Sequence, residues 1–196
     1  MHKNCQSMGV KGPCEMGTDA FNLLVDKKVD LILQGHEHDY ERSKQLATNA
    51  TTCPTVPVGS FDADCVVDDG SDGAYTKGAG TVIVIAGTGG HGLRDNNTSD
   101  PEAGYFARWM GANNNPTFGV LKVTVSSTQL AAQFVGSTAP SNFTDSFTIS
   151  GTGAPPTPTL SGTLTPTVTS TLTPIPTLTP TPAPTKTPRP TRTPRP

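Results

Sequence analysis

An apolar run, Val29-Asp30-Leu31-Ile32-Leu33, empties directly into a turn carrying two imidazoles two positions apart, Gln34-Gly35-His36-Glu37-His38. In extended backbone, side chains i and i+2 project to the same side, so His36 and His38 are expected to face one pocket while Glu37 points away. The chain has four histidines, and two of them stand in this turn. Such a pair after a buried strand suits metal ligation. The alternative is a hydrogen-bonded turn in which the rings satisfy backbone carbonyls.

His2 stands at the other end of a readable β-helix-β passage. Thr18 or Asp19 is the expected cap of a helix whose apolar residues Phe21, Leu24 and Val25 follow i, i+3, i+4 spacing, with Lys27 and Lys28 in its last turn. Residues 29–33 read as the following strand. A unit of this kind favours adjacent parallel strands whose following loops open at one sheet edge, where open α/β sheets place their sites. His2 is therefore expected to meet His36 and His38, although a lone histidine at a chain start is usually just exposed.

Gly35-His36-Glu37-His38, continued by Asp39-Tyr40-Glu41-Arg42-Ser43, resembles the last metal motif of the calcineurin-like metallophosphoesterases, in the branch similar to purple acid phosphatases. The resemblance implies that His2 and His36 bind one metal of a dinuclear centre and His38 the other. The metals it implies are two divalent or trivalent ions, Fe, Zn or Mn, in the full-length protein. It also implies that residues 1–153 are the carboxyl-terminal portion of such a domain. Tyr40, Glu41 and Arg42 then read as support, with Tyr40 packing over the turn and Glu41 and Arg42 hydrogen-bonding backbone or imidazole nitrogens to fix ring orientation. Their other reading is a solvated charge cluster.

The family's upstream motifs, D-x-H, G-D-x-x-Y and G-N-H followed by an acid, are missing from these 196 residues. The chain is accordingly expected to be a fragment, since a sheet without its first strands leaves an unpaired edge. Electrostatics points the same way. Two dications roughly 3.5 Å apart repel by about 19 kcal/mol at an effective dielectric of about 20, and neutral imidazoles cannot offset that. The nearby acids, Glu37 and Asp39, are expected off the side on which the rings converge. Three imidazoles alone would hold at most one zinc-like ion with an open position.

Cys5, Cys14, Cys53 and Cys65 form no C-x-x-C pair. Spacings of nine and twelve residues within Gly-, Pro- and Asp-containing surroundings favour two local bridges, Cys5 to Cys14 and Cys53 to Cys65, with free buried thiols as the alternative. Disulfides imply an oxidising compartment. Residues 59–80, rich in Asp and Gly, fail the EF-hand spacing and read as a solvated insertion pinned by a disulfide, with calcium binding as the alternative. The glycosylation triplets at Asn49, Asn96, Asn97 and Asn142 carry little weight, because such triplets arise often in Asn- and Thr-rich chains.

Thr81-Val82-Ile83-Val84-Ile85-Ala86 is the clearest strand of the second half. It runs into Gly87-Thr88-Gly89-Gly90-His91-Gly92, which satisfies G-x-G-x-x-G. Dinucleotide binding is rejected, because that fingerprint needs a helix to follow at once and residues 93–97 carry no helical apolar stripe. In the resembled family a similar turn closes the rim of the metal cleft, which makes His91 a candidate substrate contact; otherwise it is an exposed loop histidine. An aromatic loop around Tyr105, Phe106 and Trp109 reads as core packing. Residues 118–125 and 129–135 form a plausible hairpin, and residues 143–149 a last edge strand. This order suits the second sheet of a four-layer α/β/β/α sandwich, the architecture the resemblance also implies, so the fold class is α/β with a disordered tail.

From residue 154 the composition changes abruptly. The final 43 residues hold 13 of the 19 prolines, 15 threonines and no acid. Such a tract cannot bury enough apolar surface to fold, and as polyproline II it would reach on the order of 130 Å. Residues 154–196 therefore read as a disordered linker or stalk. The leucines in it are too scattered for a transmembrane helix. The tail carries +4 of a net charge of −2, leaving −6 on residues 1–153, which argues against nucleic acid as a partner. Thr-Pro tracts suit secreted or wall-associated proteins, and the basic tip is a candidate contact to an anionic cell envelope.

Two functions follow as expectations. One is a secreted phosphoesterase acting on small phosphomonoesters or phosphodiesters through a dinuclear centre, inactive as this fragment alone. The other is a non-enzymatic cell-surface module, a degenerate phosphatase-like domain on a Pro/Thr stalk.

Overall fold

The structure is a computed structural model that describes residues 1–11, 14–138 and 141–151. The expected stalk, 154–196, lies outside the described residues. Among the described residues the one α-helix, α1 (Thr18–Asp26), buries Phe21 and Val25, one turn apart on one face. Gly17, at φ 93°, is its N-cap, and no side chain caps it, so neither Thr18 nor Asp19 plays the expected role. Lys28, at φ 51°, ends the helix in the left-handed region and turns the chain into β1 (Leu31–Gln34).

The remaining strands, in chain order, are β2 (Tyr40–Ser43), β3 (Gln45–Leu46), β4 (Val66–Asp68), β5 (Ala74–Thr76), β6 (Val82–Ala86), β7 (Phe106–Met110), β8 (Gly119–Val125), β9 (Gln129–Gly136) and β10 (Ser146–Ser150). The first sheet has the order β1-β6-β2-β7. β1 and β6 are parallel, with Ile32 opposite Ile83, whereas β2 runs antiparallel to both β6 and β7. The connection from β1 to β2 must therefore cross the carboxyl end of β6. That crossing is the histidine turn, residues 35–39.

β6 is buried because both faces of its sheet are covered. Ile83 packs with Phe21, Val25, Ile32 and Phe106 on the helix side; Val82 and Val84 pack with Tyr40, Met110, Phe134, Phe147 and Ile149 toward the second sheet. Edge-to-face contacts of Tyr40 with Phe134 (5.2 Å) and of Phe134 with Phe143 (5.3 Å) fill that inter-sheet layer. Tyr105 and Phe106 do belong to the core, but residues 106–110 are an edge strand rather than part of a loop.

The second sheet has the order β5-β10-β9-β8. β8 and β9 form the expected hairpin, pairing Val125 with Leu130 across residues 126–128. Two expectations need correcting. β10 is an interior strand, because β5 pairs in parallel with it on the side away from β9. β5 comes from the acidic segment 59–80, which is thus built into the sheet through buried Tyr75 instead of forming a solvated insertion. The acids of that segment are turn formers: Asp62, Asp68, Asp69 and Asp72 each accept a backbone N–H two residues on, at 2.8–3.0 Å. The described residues thus stack as helix, sheet and sheet, a mixed α/β architecture. The fourth, helical layer is not among them, and Val120, Lys122 and Gln133 on the second sheet's outer face are exposed.

Cys5 is bonded to Cys14 and Cys53 to Cys65. Both bridges lie in the helix-side core, where closing loops this short stabilises by about 3 kcal/mol each in the chain-entropy account. No helix among the described residues is long and apolar enough to cross a membrane.

Candidate metal centre

The histidine turn is held from two sides. Gly35 N–H donates to the His2 carbonyl at 3.1 Å, and the Met1 ammonium donates to the Leu33 carbonyl at 2.7 Å, so the first two residues lie along the end of β1. From the other side, Gly87 N–H donates to Asp39 O at 3.0 Å and Arg94 N–H to His38 O at 2.9 Å. The loop after β6 approaches so closely that a Cβ on Gly87 would stand 1.7 Å from the Glu37 carbonyl oxygen. This close approach gives Gly87 its role, in place of the phosphate cradle its motif mimics.

His36 sits at φ 68°, in the left-handed region that a non-glycine residue rarely occupies. The turn is therefore not extended, and the i, i+2 argument fails here. Its two rings take different partners. His36 meets His2 edge-on, with ring centres 4.8 Å apart, and His38 meets His91 at 4.3 Å. All four histidines of the chain thus form two pairs around one turn. Among the described residues no three or more His, Cys, Asp or Glu side chains converge on a single ion position, so three imidazoles around one cation is not the arrangement formed.

The protonation balance favours neutral rings. His36 is lowered from its ordinary range chiefly by desolvation, with Lys3, Lys11 and His2 adding to the effect and Glu15 opposing it. His38 is lowered first by desolvation and then by Arg94 and His91, against the Gly92 carbonyl and Glu37. Neutral imidazole is the state that ligates metal.

The geometry fits a metal in part. His36 Nδ1 and His2 Nε2 are 3.0 Å apart, close to the roughly 3.0–3.4 Å between neighbouring nitrogens that each lie about 2.0–2.1 Å from one ion. His38 Nδ1 is buried without a hydrogen-bond partner of normal geometry. The carboxylates do not fit. Glu37 accepts from Lys11 N–H at 2.8 Å and from Arg94 at 3.1 Å, and Asp39 accepts from the Asn96 amide at 2.8 Å. Both are buried and already engaged in these bonds.

Tyr40, Glu41 and Arg42 are fully buried or nearly so, which removes the solvated-cluster reading. They do not hold the rings directly either, since their hydrogen bonds end elsewhere. Arg42 Nε and Nη2 donate to Asp145 at 2.7 and 3.1 Å, and Tyr40 Oη donates to the same carboxylate at 2.8 Å. Arg42 also bonds the Tyr75 hydroxyl and lies 5.3 Å from the Phe147 ring centre. These contacts tie the second sheet to the first. Alternation along β2 sends Glu41 the other way, where it accepts from Ser7 Oγ at 3.1 Å and Met8 N–H at 3.0 Å. Glu102 accepts from Ser7 N–H at 3.1 Å and Gly59 N–H at 2.6 Å.

Glu15, Arg94, Asn96, Glu102 and Asp145, the partners of His36, Glu37, Asp39, Ser7 and Arg42, are residues that sequence reasoning missed. Only Glu15 had a signal, since it follows Cys14 and the expected bridge brings it near Cys5. Asn96, 4 % exposed, is engaged by Asp39 and Glu41, so its glycosylation triplet is closed off in the folded chain. A cleft of about 360 Å³ is lined by Arg42, Asp72, Arg108 and Asp145, with no histidine.

No protein-family model matches the chain, and no curated protein does. Among solved structures it is similar to a purple acid phosphatase, PPD1, isolated from yellow lupin (Lupinus luteus) seeds. The identity is 23 % and the TM-score 0.53, over 76 % of this chain and 24 % of the phosphatase. The chain thus spans about a quarter of that protein's length. At this identity the likeness carries the fold: the described residues have a metallophosphoesterase-like architecture.

Proposed function

We propose that these residues are the carboxyl-terminal part of a secreted, metal-dependent phosphoesterase that hydrolyses small phosphomonoesters or phosphodiesters. The observation that carries this reading is the gathering of all four histidines into two pairs around the turn over β6. His2 and His36 would hold one ion through Nε2 and Nδ1, and His38 a second. The carboxylates that two cations require come, in this reading, from residues beyond these 196. When bound, such ions polarise the phosphoryl oxygens and activate water. In this reading His91, exposed beside His38, would donate to a phosphate-ester oxygen, while Arg94 neutralises the buried Glu37 carboxylate at 3.1 Å. Two disulfides support an oxidising compartment. The −6 charge of residues 1–153 disfavours nucleic acid, and the +4 tail is a candidate envelope contact.

The engagement of Glu37, Asp39 and Glu41 in structural bonds favours a second reading, a non-enzymatic surface module with this fold. The two part on one experiment. Phosphate release from an aryl phosphate is expected to be absent from this chain with zinc, manganese or iron. It is expected from a longer protein carrying D-x-H, G-D-x-x-Y and G-N-H motifs ahead of it, and to vanish with His36→Ala or His38→Ala. Full activity in either variant would reject the phosphoesterase assignment. A reading frame with a stop directly ahead of Met1 would select the module.

A further inference from the structure

Glu15 lies outside the turn, yet its carboxylate reaches it. Glu15 Oε2 is 2.5 Å from His36 Nε2 and 3.1 Å from Lys3 Nζ, and Lys3 Nζ is itself 3.4 Å from His36 Nε2. Two groups of opposite hydrogen-bonding character therefore meet at one ring nitrogen. A carboxylate only accepts, and an ammonium only donates. With Glu15 in contact, Nε2 carries the ring proton and Nδ1 keeps its lone pair. Nδ1 is the atom that faces His2 Nε2 at 3.0 Å. Were Lys3 to take Nε2 instead, the proton would move to Nδ1 and block that shared point.

We propose that Glu15 is a positioning residue that selects the Nε2-protonated form of His36 and so presents Nδ1 to a metal ion shared with His2. The proposal rests on the metal-ligand reading given above. Its geometry is built in: Glu15 follows Cys14 of the Cys5–Cys14 bridge, and its N–H donates to Asn4 O at 3.0 Å, two residues from His2. The bridge thus delivers the carboxylate to the same edge that holds both rings. An imidazole whose second nitrogen is tied to a carboxylate keeps one ring form and one orientation.

The test is a long-range proton–nitrogen correlation spectrum of the metal-free 196-residue chain with nitrogen-15-labelled histidine. The wild type and Glu15→Gln, whose amide oxygen still accepts, are expected to show His36 protonated on Nε2. Glu15→Ala is expected to shift the proton to Nδ1, and adding Lys3→Met to remove that shift. Zinc binding, read by titration, is expected to weaken about 10–100-fold in Glu15→Ala and far less in Glu15→Gln. The Glu15 side chain is 32 % exposed, so an unchanged melting curve will separate these effects from misfolding. A His36 ring form that ignores Glu15→Ala, or a wild-type ring protonated on Nδ1, overturns the proposal even if zinc binds. A ring form that switches while zinc never engages His2 and His36 supports the selection by Glu15 and overturns the ligand assignment instead.

Discussion

Arg42 grips Asp145 with two prongs, Nε to Oδ2 at 2.7 Å and Nη2 to Oδ1 at 3.1 Å, across the boundary between the two sheets. Each side chain is 5 % exposed, so solvent screening offers little relief if one partner is lost. Asp145→Ala should destabilise the fold by about 3–5 kcal/mol, because it strands a buried guanidinium. The double variant Arg42→Met/Asp145→Leu should recover much of that loss. Urea denaturation of the wild type, Asp145→Ala and the double variant checks both; a double-variant loss well above that of Asp145→Ala, as two independent losses would give, would mean the pair is not coupled.

Gly87 has no room for a side chain. Gly87→Ala would drive a methyl group into the Glu37 carbonyl, 1.7 Å from the added carbon, and backbone cannot swing aside as a flexible side chain does. A loss of about 1–3 kcal/mol or more is expected, together with changed His38 and His91 resonances. Gly89→Ala, with open space around the same atom, is the control and should leave both unchanged.

The buried acids of β2 and the turn before it give stability a pH dependence. Asp39 is pushed up to about 7 by burial, against pulls from Glu41 and Arg94, and Glu41 is driven well up by burial and then by Asp39. A carboxyl whose folded pKa exceeds its unfolded one binds more protons when folded, so its contribution is full at low pH and falls as pH rises. The contribution of Asp39 should thus decline between about pH 4 and 7. Asp39→Asn should flatten that slope, as read from denaturation midpoints across the range. An unchanged slope would place the proton elsewhere.

The two histidine pairs should behave as separate units. In zinc titrations, His2→Ala and His36→Ala should each weaken the same binding event, and the double variant should be little worse than either single one, because the two nitrogens share one position. His2→Ala and His38→Ala should instead act additively. Strong coupling of His2 with His38 would contradict the pairing seen in the rings.

The cysteine bridges offer a simpler check. Cys53→Ser/Cys65→Ser should lower stability by about 2–4 kcal/mol, since Cys53 and Cys65 are completely buried in the helix-side core.

Local chemistry made much of this protein legible. Helix spacing located Phe21 and Val25, β-branching located β6, the hairpin followed from residues 118–135, and cysteine spacing matched both bridges. The histidine turn stood out because strand and imidazoles adjoin in sequence. Pairings between distant segments were not legible, because they depend on which edges lie free once the sheets assemble. So β5 emerged from an acidic loop, β10 moved to an interior position, and the aromatic loop became β7. The same holds for the site. Sequence determined that His36 and His38 share a turn, whereas only the tertiary structure decided that they face different partners. The physical reason is the crossing over β6: the connection must reverse the chain in five residues above Gly87, and that bend puts His36 into left-handed backbone and parts the two rings.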